Sequence, residues 1–321
     1  MRAVVFTGAG GNEVVRLEQR PDPDPGAHEV LVAARFAGIN WADVAQRMGF
    51  YPPPPGSPAD IPGLEVAGEV AAVGPGVLGW QQGDRVFGLV GGGGLADRVI
   101  VDERHLAAVP PSVKDDVAAA IPEAYITAHD AVFTRAGLAM GEVLLVNGAN
   151  GAVGSAGVQL GLAAGARVVA SVRSPESARA LAEAGAIVVT PDTAAERLAA
   201  LGGADVVLEL IGAPNLGLDL GVIARKGRIV IVGTPAGEEA PVSLRRLMGL
   251  RASLYGTMLR ARPMEEKAAA VQLFARSVVP LLAAARVTMA IDRVFPAGEA
   301  PAAFDYLTQP GKFGKVLLEF S

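Results

Sequence analysis

The chain has 321 residues, 51% of them hydrophobic and 19% charged, with a formal net charge of −5. Such a chain folds around real cores, enough for two domains, and is not intrinsically disordered. The mild acidity speaks against a general nucleic-acid binder, and the lack of cysteine excludes disulfides, thiol catalysis and cysteine-ligated zinc and fits a cytoplasmic protein.

In chain order, residues 1–6 read as a short strand without a signal-peptide core. No apolar run reaches the roughly 18 residues of a membrane span, so a soluble protein is expected. Further strands are predicted over residues 29–36, 65–73, 85–90 and 96–101, the last two flanking the glycine run 91–94. Short strands between Gly and Pro turns predict a small, largely antiparallel β domain. Pro110-Pro111-Ser112 closes it, and a helix from Asp115 to about Arg135 follows. Strands at 143–146, 168–172, 187–190, 205–210 and 228–232 then alternate with helical windows such as 175–183 and 194–201. This alternation predicts right-handed crossovers and a parallel sheet covered on both faces. The tail holds helices near 265–279 and 301–307 and a last strand, 315–320, which the economical reading returns to the first domain. The expected domains are therefore 1–119 with 261–321, and 120–260 inserted between them.

The most informative stretch runs from residue 142 to 173. After an apolar strand comes Asn147-Gly148-Ala149-Asn150-Gly151-Ala152-Val153-Gly154, and then a helix and a second strand ending in Ser171-Val172-Arg173. Gly148, Gly151 and Gly154 recur where a dinucleotide site needs a tight bend, a bare backbone and close helix packing. N–H groups at the helix start, helped by its dipole, can hold a pyrophosphate. An NAD site places an acid about 20 residues beyond the glycines to bind the ribose. Here the second strand ends without one, and Ser174-Pro175-Glu176 reads as the start of the next helix. Ser171 and Arg173 suit a 2′-phosphate instead, because arginine offers a planar fork of donors. The expected cofactor is NADPH.

Several other segments stand out: 38–52 with Asn40, Asp43 and Tyr51, 62–68 with Glu65, Gly83-Asp84-Arg85-Val86, 124–128, 256–262 and Gly314-Lys315-Val316. Together with the glycine turn they resemble the medium-chain dehydrogenase/reductase superfamily, and within it the zinc-free quinone oxidoreductase branch. The resemblance runs over nearly the whole chain. It implies a Rossmann-type doubly wound sheet inserted into a GroES-like, mainly antiparallel β domain, and a homodimer. Where zinc alcohol dehydrogenases carry a cysteine and a histidine ligand, this chain has Asn40 and Leu64. A catalytic zinc normally needs three protein ligands, and only His28, His105 and His129 exist, far apart in sequence. No metal is expected.

Hydride addition to an electron-poor acceptor needs orientation of the nicotinamide and donors to the developing oxyanion. Asn40 and Tyr51 fit that task, and the resemblance places equivalents beside the nicotinamide. Asp43 is the third candidate catalytic residue, with capping of the helix at 41–47 as its alternative role. Glu65 reads as a buried, paired structural carboxylate. The resemblance also implies cofactor contacts from Thr127, the turn including Asn150, the Ala152 and Val153 backbones, Gly212, and Gly233-Thr234. Many relatives carry a tyrosine where this chain reads Thr190-Pro191-Asp192, which leaves Ser171 and Arg173 to select the phosphate.

Arg245, Arg246, Arg251, Arg260 and Arg262 cluster with no acid among them; a solvated helix face with contacts to cofactor phosphate is expected rather than a nucleic-acid patch. The expected function is hydride transfer from NADPH to a quinone or electron-poor enone. The rivals are an alkenal or enoyl double-bond reductase with little quinone activity, and a non-catalytic, NADPH-stabilised RNA-binding or structural protein.

Overall fold

The computed structural model describes residues 1–173 and 179–320, so the reading of Ser174-Pro175-Glu176 as a helix start lies outside the described residues. The chain divides into two units, one of Met1–Ile126, Leu259–Pro310 and Gly314 onward, the other of Thr127–Met258 and Gly311–Phe313.

In the first unit β1 (Arg2–Phe6) pairs antiparallel with β2 (Val15–Gln19). The strand predicted over 29–36 is two strands, β3 (Glu29–Ala33) and β4 (Phe36–Ile39), which belong to different sheets. The chain changes sheet at Ala34-Arg35: the Ala34 N–H turns to the Asp97 carbonyl, and the Arg35 carbonyl accepts from Phe320. With β5 (Glu65–Val73), β6 (Arg85–Leu89), β7 (Arg98–Asp102) and β8 (Leu106–Ala108), β3 builds an antiparallel sheet of order β7-β3-β5-β6-β8. Val30, Val32, Val66, Val70, Val86, Val99 and Val101 alternate inward to form its core.

The helix predicted over 115–135 is broken into Asp115–Ala119, Pro122–His129 and a π-helical turn Asp130–Arg135. Pro122 explains the first break: it cannot donate to the carbonyl four residues back, and its ring suits a helix start.

The second unit is a six-stranded, wholly parallel sheet of order β11-β10-β9-β12-β13-β14. Its strands are β9 (Val143–Asn147), β10 (Arg167–Ser171), β11 (Ile187–Val189), β12 (Ala204–Glu209), β13 (Ile223–Ile231) and β14 (Ser253–Gly256). Leu144, Val146, Val168, Ala170, Val206, Leu208 and Val230 pack on one face. Val143, Leu145, Val169, Val207 and Ile229 pack on the other. Burial on both faces is why these strands read as unbroken apolar runs. The strand order outward from β9 is that of a doubly wound dinucleotide-binding sheet.

The tail supplies β15 (Ile291–Pro296) and β16 (Lys315–Glu319) to the first unit, where β16 lies parallel to β15 and antiparallel to β4. Val316 and Leu318 there join Val4, Phe6, Ile39, Val44 and Phe304 in a second core.

Candidate active site

The second unit carries the glycine turn at the carboxyl end of β9. Gly148 adopts φ 76°, open to glycine at little cost. A Cβ on Gly154 would lie 2.3 Å from the Gly148 carbonyl oxygen, so the helix Ala152–Ala163 can approach the turn only with glycine there. Gly151, by contrast, is exposed and its nearest neighbour to an added Cβ is 3.5 Å away. It caps a helix that has no side-chain cap, so the first-turn N–H groups of Ala152 and Val153 face outward without a helical acceptor. Bend, bare approach and close packing thus fall on three successive glycines, and a dinucleotide pyrophosphate fits this cradle. Asn150 holds the Lys312 carbonyl through Nδ2 at 3.2 Å.

Ser171 is level with Asn147 in the β9–β10 pairing, and its carbonyl accepts from Ala149 of the turn. Its side chain is buried, and Arg173 is exposed two residues on. The turns after β12 and β13 meet each other. Gly212 has φ 101°, and a Cβ there would lie 2.6 Å from the Gly237 carbonyl and 2.8 Å from Thr234 Cα. Gly233-Thr234 therefore lies against Gly212. Thr127 is buried at the start of this unit.

In the first unit, Asn40, Asp43, Glu65 and Lys315 form one buried polar network. Lys315 Nζ lies 2.5 Å from Glu65 Oε1 and donates to Asn40 Oδ1 at 2.6 Å. Asn40 Nδ2 donates to Glu65 Oε1 at 2.9 Å, and the Glu123 N–H donates to Glu65 Oε2 at 2.9 Å. Glu65 and Lys315 are almost wholly buried, so Glu65 is paired as expected. Room for the pair comes from Gly38, where a Cβ would sit 2.4 Å from Glu65 Oε1 and 2.7 Å from Lys315 Cε. Asn40 caps the helix Trp41–Arg47 in a capping box with Asp43. Both Asp43 oxygens are taken by backbone, accepting from Asn40 N at 2.8 Å and Gly63 N at 2.9 Å. Complete burial pushes its carboxyl up to about 6 despite these donors.

Tyr51 is half-buried, and its ring lies 5.0 Å from the Arg260 guanidinium. Arg260 donates to the Tyr51 carbonyl at 2.9 Å, the Gly91 carbonyl at 2.8 Å and Gln46 Oε1 at 2.5 Å. Burial, reinforced by the Glu123 charge and opposed by Arg260, pushes the Tyr51 phenol up to about 12. It therefore keeps its proton at neutral pH and can only donate to an incoming anion.

This geometry corrects the arginine cluster. Arg260 is buried and fully engaged, while Arg245, Arg246 and Arg251 are exposed and Arg246 holds the Leu220 and Gly221 carbonyls. The five do not form one solvated face. Sequence reasoning gave no role to Lys315, although a lysine opening an otherwise apolar strand was the available signal. It also missed Gln46, and the cluster of Asn147, Glu209 and Asp219 behind the glycine turn. The histidines are separate: His28 faces Glu103, His105 faces the Met264 carbonyl, and His129 lies against the Phe133 ring. Among the described residues no group of three His, Cys, Asp or Glu could hold a metal, and no helix is long and apolar enough to cross a membrane.

Comparison with known proteins agrees with this architecture. The profile described as "Alcohol dehydrogenase GroES-like domain" matches residues 26–111, and that described as "Zinc-binding dehydrogenase" matches 152–276. The quinone oxidoreductase of Lama guanicoe is 31% identical over 99% of this chain and 97% of its own, and that of Rattus norvegicus is 31% identical over the same shares. The solved quinone oxidoreductase of Thermus thermophilus, also solved as its complex with NADPH, is 34% identical with a TM-score of 0.86 over 100% of both chains. The chain belongs to the quinone oxidoreductase branch of the medium-chain dehydrogenase/reductase superfamily.

Proposed function

We propose that this protein is an NADPH-dependent oxidoreductase that transfers hydride to a quinone or another electron-poor enone without a metal ion. The observation that carries the reading is the glycine cradle, with its bare Gly151 and free first-turn N–H groups, followed by a strand end bearing Ser171 and Arg173 instead of an acid. The NADPH complex of the Thermus relative supports the same cofactor. Bound there, NADPH supplies the hydride. The Ala152 and Val153 N–H groups bind the pyrophosphate, Thr127, Asn150, Gly212, Gly233 and Thr234 line the cofactor, and the Arg173 guanidinium and Ser171 hydroxyl take the 2′-phosphate.

On the acceptor side, the Tyr51 hydroxyl and the second Nδ2 hydrogen of Asn40 donate to the carbonyl oxygen as it gains negative charge. Asp43 serves as a positioning residue, fixing the Asn40 backbone. The donor chemistry supports a metal-free route. Asn40 Oδ1 and Glu65 Oε1 are both committed to the Lys315 ammonium, and Leu64 offers no ligand atom. An already electron-poor acceptor needs no stronger electrophile.

The same proposal includes a cytoplasmic homodimer joined by sheet extension through β14, the last strand in the sheet order. A screen of NADPH oxidation against quinones, enones and aldehydes tests the activity. Turnover with quinones or enones is expected; no oxidation with any acceptor refutes the enzymatic reading.

A further inference from the structure

Behind the glycine turn, two carboxyl groups are buried side by side, and among the described residues neither has a cationic partner. Glu209, the last residue of β12, and Asp219, on the helix Ala213–Val222, both have 0% exposure. Asn147, the residue immediately before Gly148, donates from the same Nδ2 to Glu209 Oε2 at 2.6 Å and to Asp219 Oδ1 at 2.8 Å. Glu209 Oε1 accepts from the Ile211 N–H at 2.5 Å and the Gly212 N–H at 2.7 Å, and Asn215 adds a bond to Oε2 at 3.2 Å. Asp219 Oδ2 is buried with no partner. The two turns touch, since a Cβ on Gly148 would lie 3.0 Å from Ile211 Cδ1.

Two ionised carboxylates cannot share such a site, and one of them keeps its proton. Protonating Asp219 turns an orphaned acceptor into a donor toward Glu209. Glu209 then remains the acceptor that its four N–H partners require. The charged side chains on neighbouring elements do not neutralise the pair. Asp192, Glu196 and Arg197 on the helix Pro191–Leu201 are exposed, as are Arg225 and Lys226 on β13. Arg228 is bound to Glu142, Asp205 accepts from the Val143 N–H, and Arg246 is turned to the Leu220 and Gly221 carbonyls.

We propose that Asp219 carries a proton that it donates to Glu209, and that this protonated pair is the positioning element that holds the turns after β9 and β12 for NADPH, so that its ionisation weakens cofactor binding. This inference rests on the reading of the glycine turn as the NADPH cradle. Burial, and then the Glu209 charge, push Asp219 up to about 8, which places the transition on the alkaline side of neutrality.

The test is NADPH affinity of the full chain, read by nicotinamide fluorescence between about pH 6 and about pH 10, for wild type and Asp219→Asn. The variant leaves Glu209 as the acceptor for its N–H partners and supplies an amide donor in place of the Asp219 proton. The wild type should lose affinity above about pH 8, approaching about tenfold per pH unit, while the variant gives a flat profile. A flat wild-type profile, or the same alkaline loss in the variant, overturns the proposal. Circular dichroism at each pH confirms that the fold persists. Gly151→Asp separates the underlying reading: aspartate is a good helix cap there, yet its charge opposes the pyrophosphate. Unchanged affinity in that variant overturns the cradle itself, whatever the pH profile.

Discussion

Replacing Lys315 with methionine tests the network that holds Asn40. The substitution keeps an unbranched apolar stem, one atom shorter, but removes the ammonium 2.5 Å from Glu65 and the donor to Asn40 Oδ1. Glu65 is 1% exposed and cannot turn to solvent, so its charge is left with only the Asn40 and Glu123 donors. Breaking a buried pair from one side costs about 3–5 kcal/mol. Combining Lys315→Met with Glu65→Gln should recover most of that loss. With Lys315 gone the Asn40 amide is free to turn over, so the new amide can donate to Asn40 Oδ1 and accept from the Glu123 N–H, leaving no charge to solvate. A coupling of at least about 2 kcal/mol between the two substitutions is therefore expected. Both tryptophans of the chain, Trp41 and Trp80, lie in the first unit, so urea denaturation followed by tryptophan fluorescence reads this unit directly. Effects that add to within about 0.5 kcal/mol would show that Lys315 and Glu65 do not act together.

Tyr51→Phe should lower turnover by about 10²–10³-fold with unchanged NADPH affinity, the scale of losing one oxyanion donor; full activity with a quinone would remove Tyr51 from the chemistry. Arg173→Glu should weaken NADPH by about 1–3 kcal/mol and leave NADH unaffected, and calorimetry that finds equal losses for both would end its phosphate role. Asp43 has a carboxyl raised by burial from 3.8 to about 6, so the folded state holds that proton more tightly than the unfolded one. Its contribution to stability is complete below pH 3.8 and is lost as the pH climbs to about 6. Relative to Asp43→Asn, the wild type should lose about 3 kcal/mol over that interval, and parallel stability curves would contradict the burial argument.

Much of the second unit was legible in the sequence because its signals are local. Each apolar run and the three-residue glycine spacing is complete within a few positions, and the folded sheet sets β9 between β10 and β12. Legibility failed where a local pattern met a tertiary boundary. Residues 29–36 alternate like one strand, yet the chain changes sheet at Ala34-Arg35 because Asp97 and Phe320 each claim one backbone bond. The arginines between 245 and 262 look alike in sequence, and only the folded chain buries Arg260 beneath Tyr51.

By itself the sequence determined the doubly wound sheet, the cradle with its three glycines, and the absence of thiol and histidine ligands at the positions a zinc enzyme would use. Those properties depend on residue type and on spacing along a short stretch. The tertiary structure alone decided what Asn40, Tyr51 and Asn147 are bonded to. Their partners Lys315, Arg260 and Glu209 stand 275, 209 and 62 positions away, and nothing in a one-dimensional pattern states which distant polar groups will lose water together. Burial does: once the apolar faces close, every enclosed charge and amide must find a partner among whatever the packing has brought within reach.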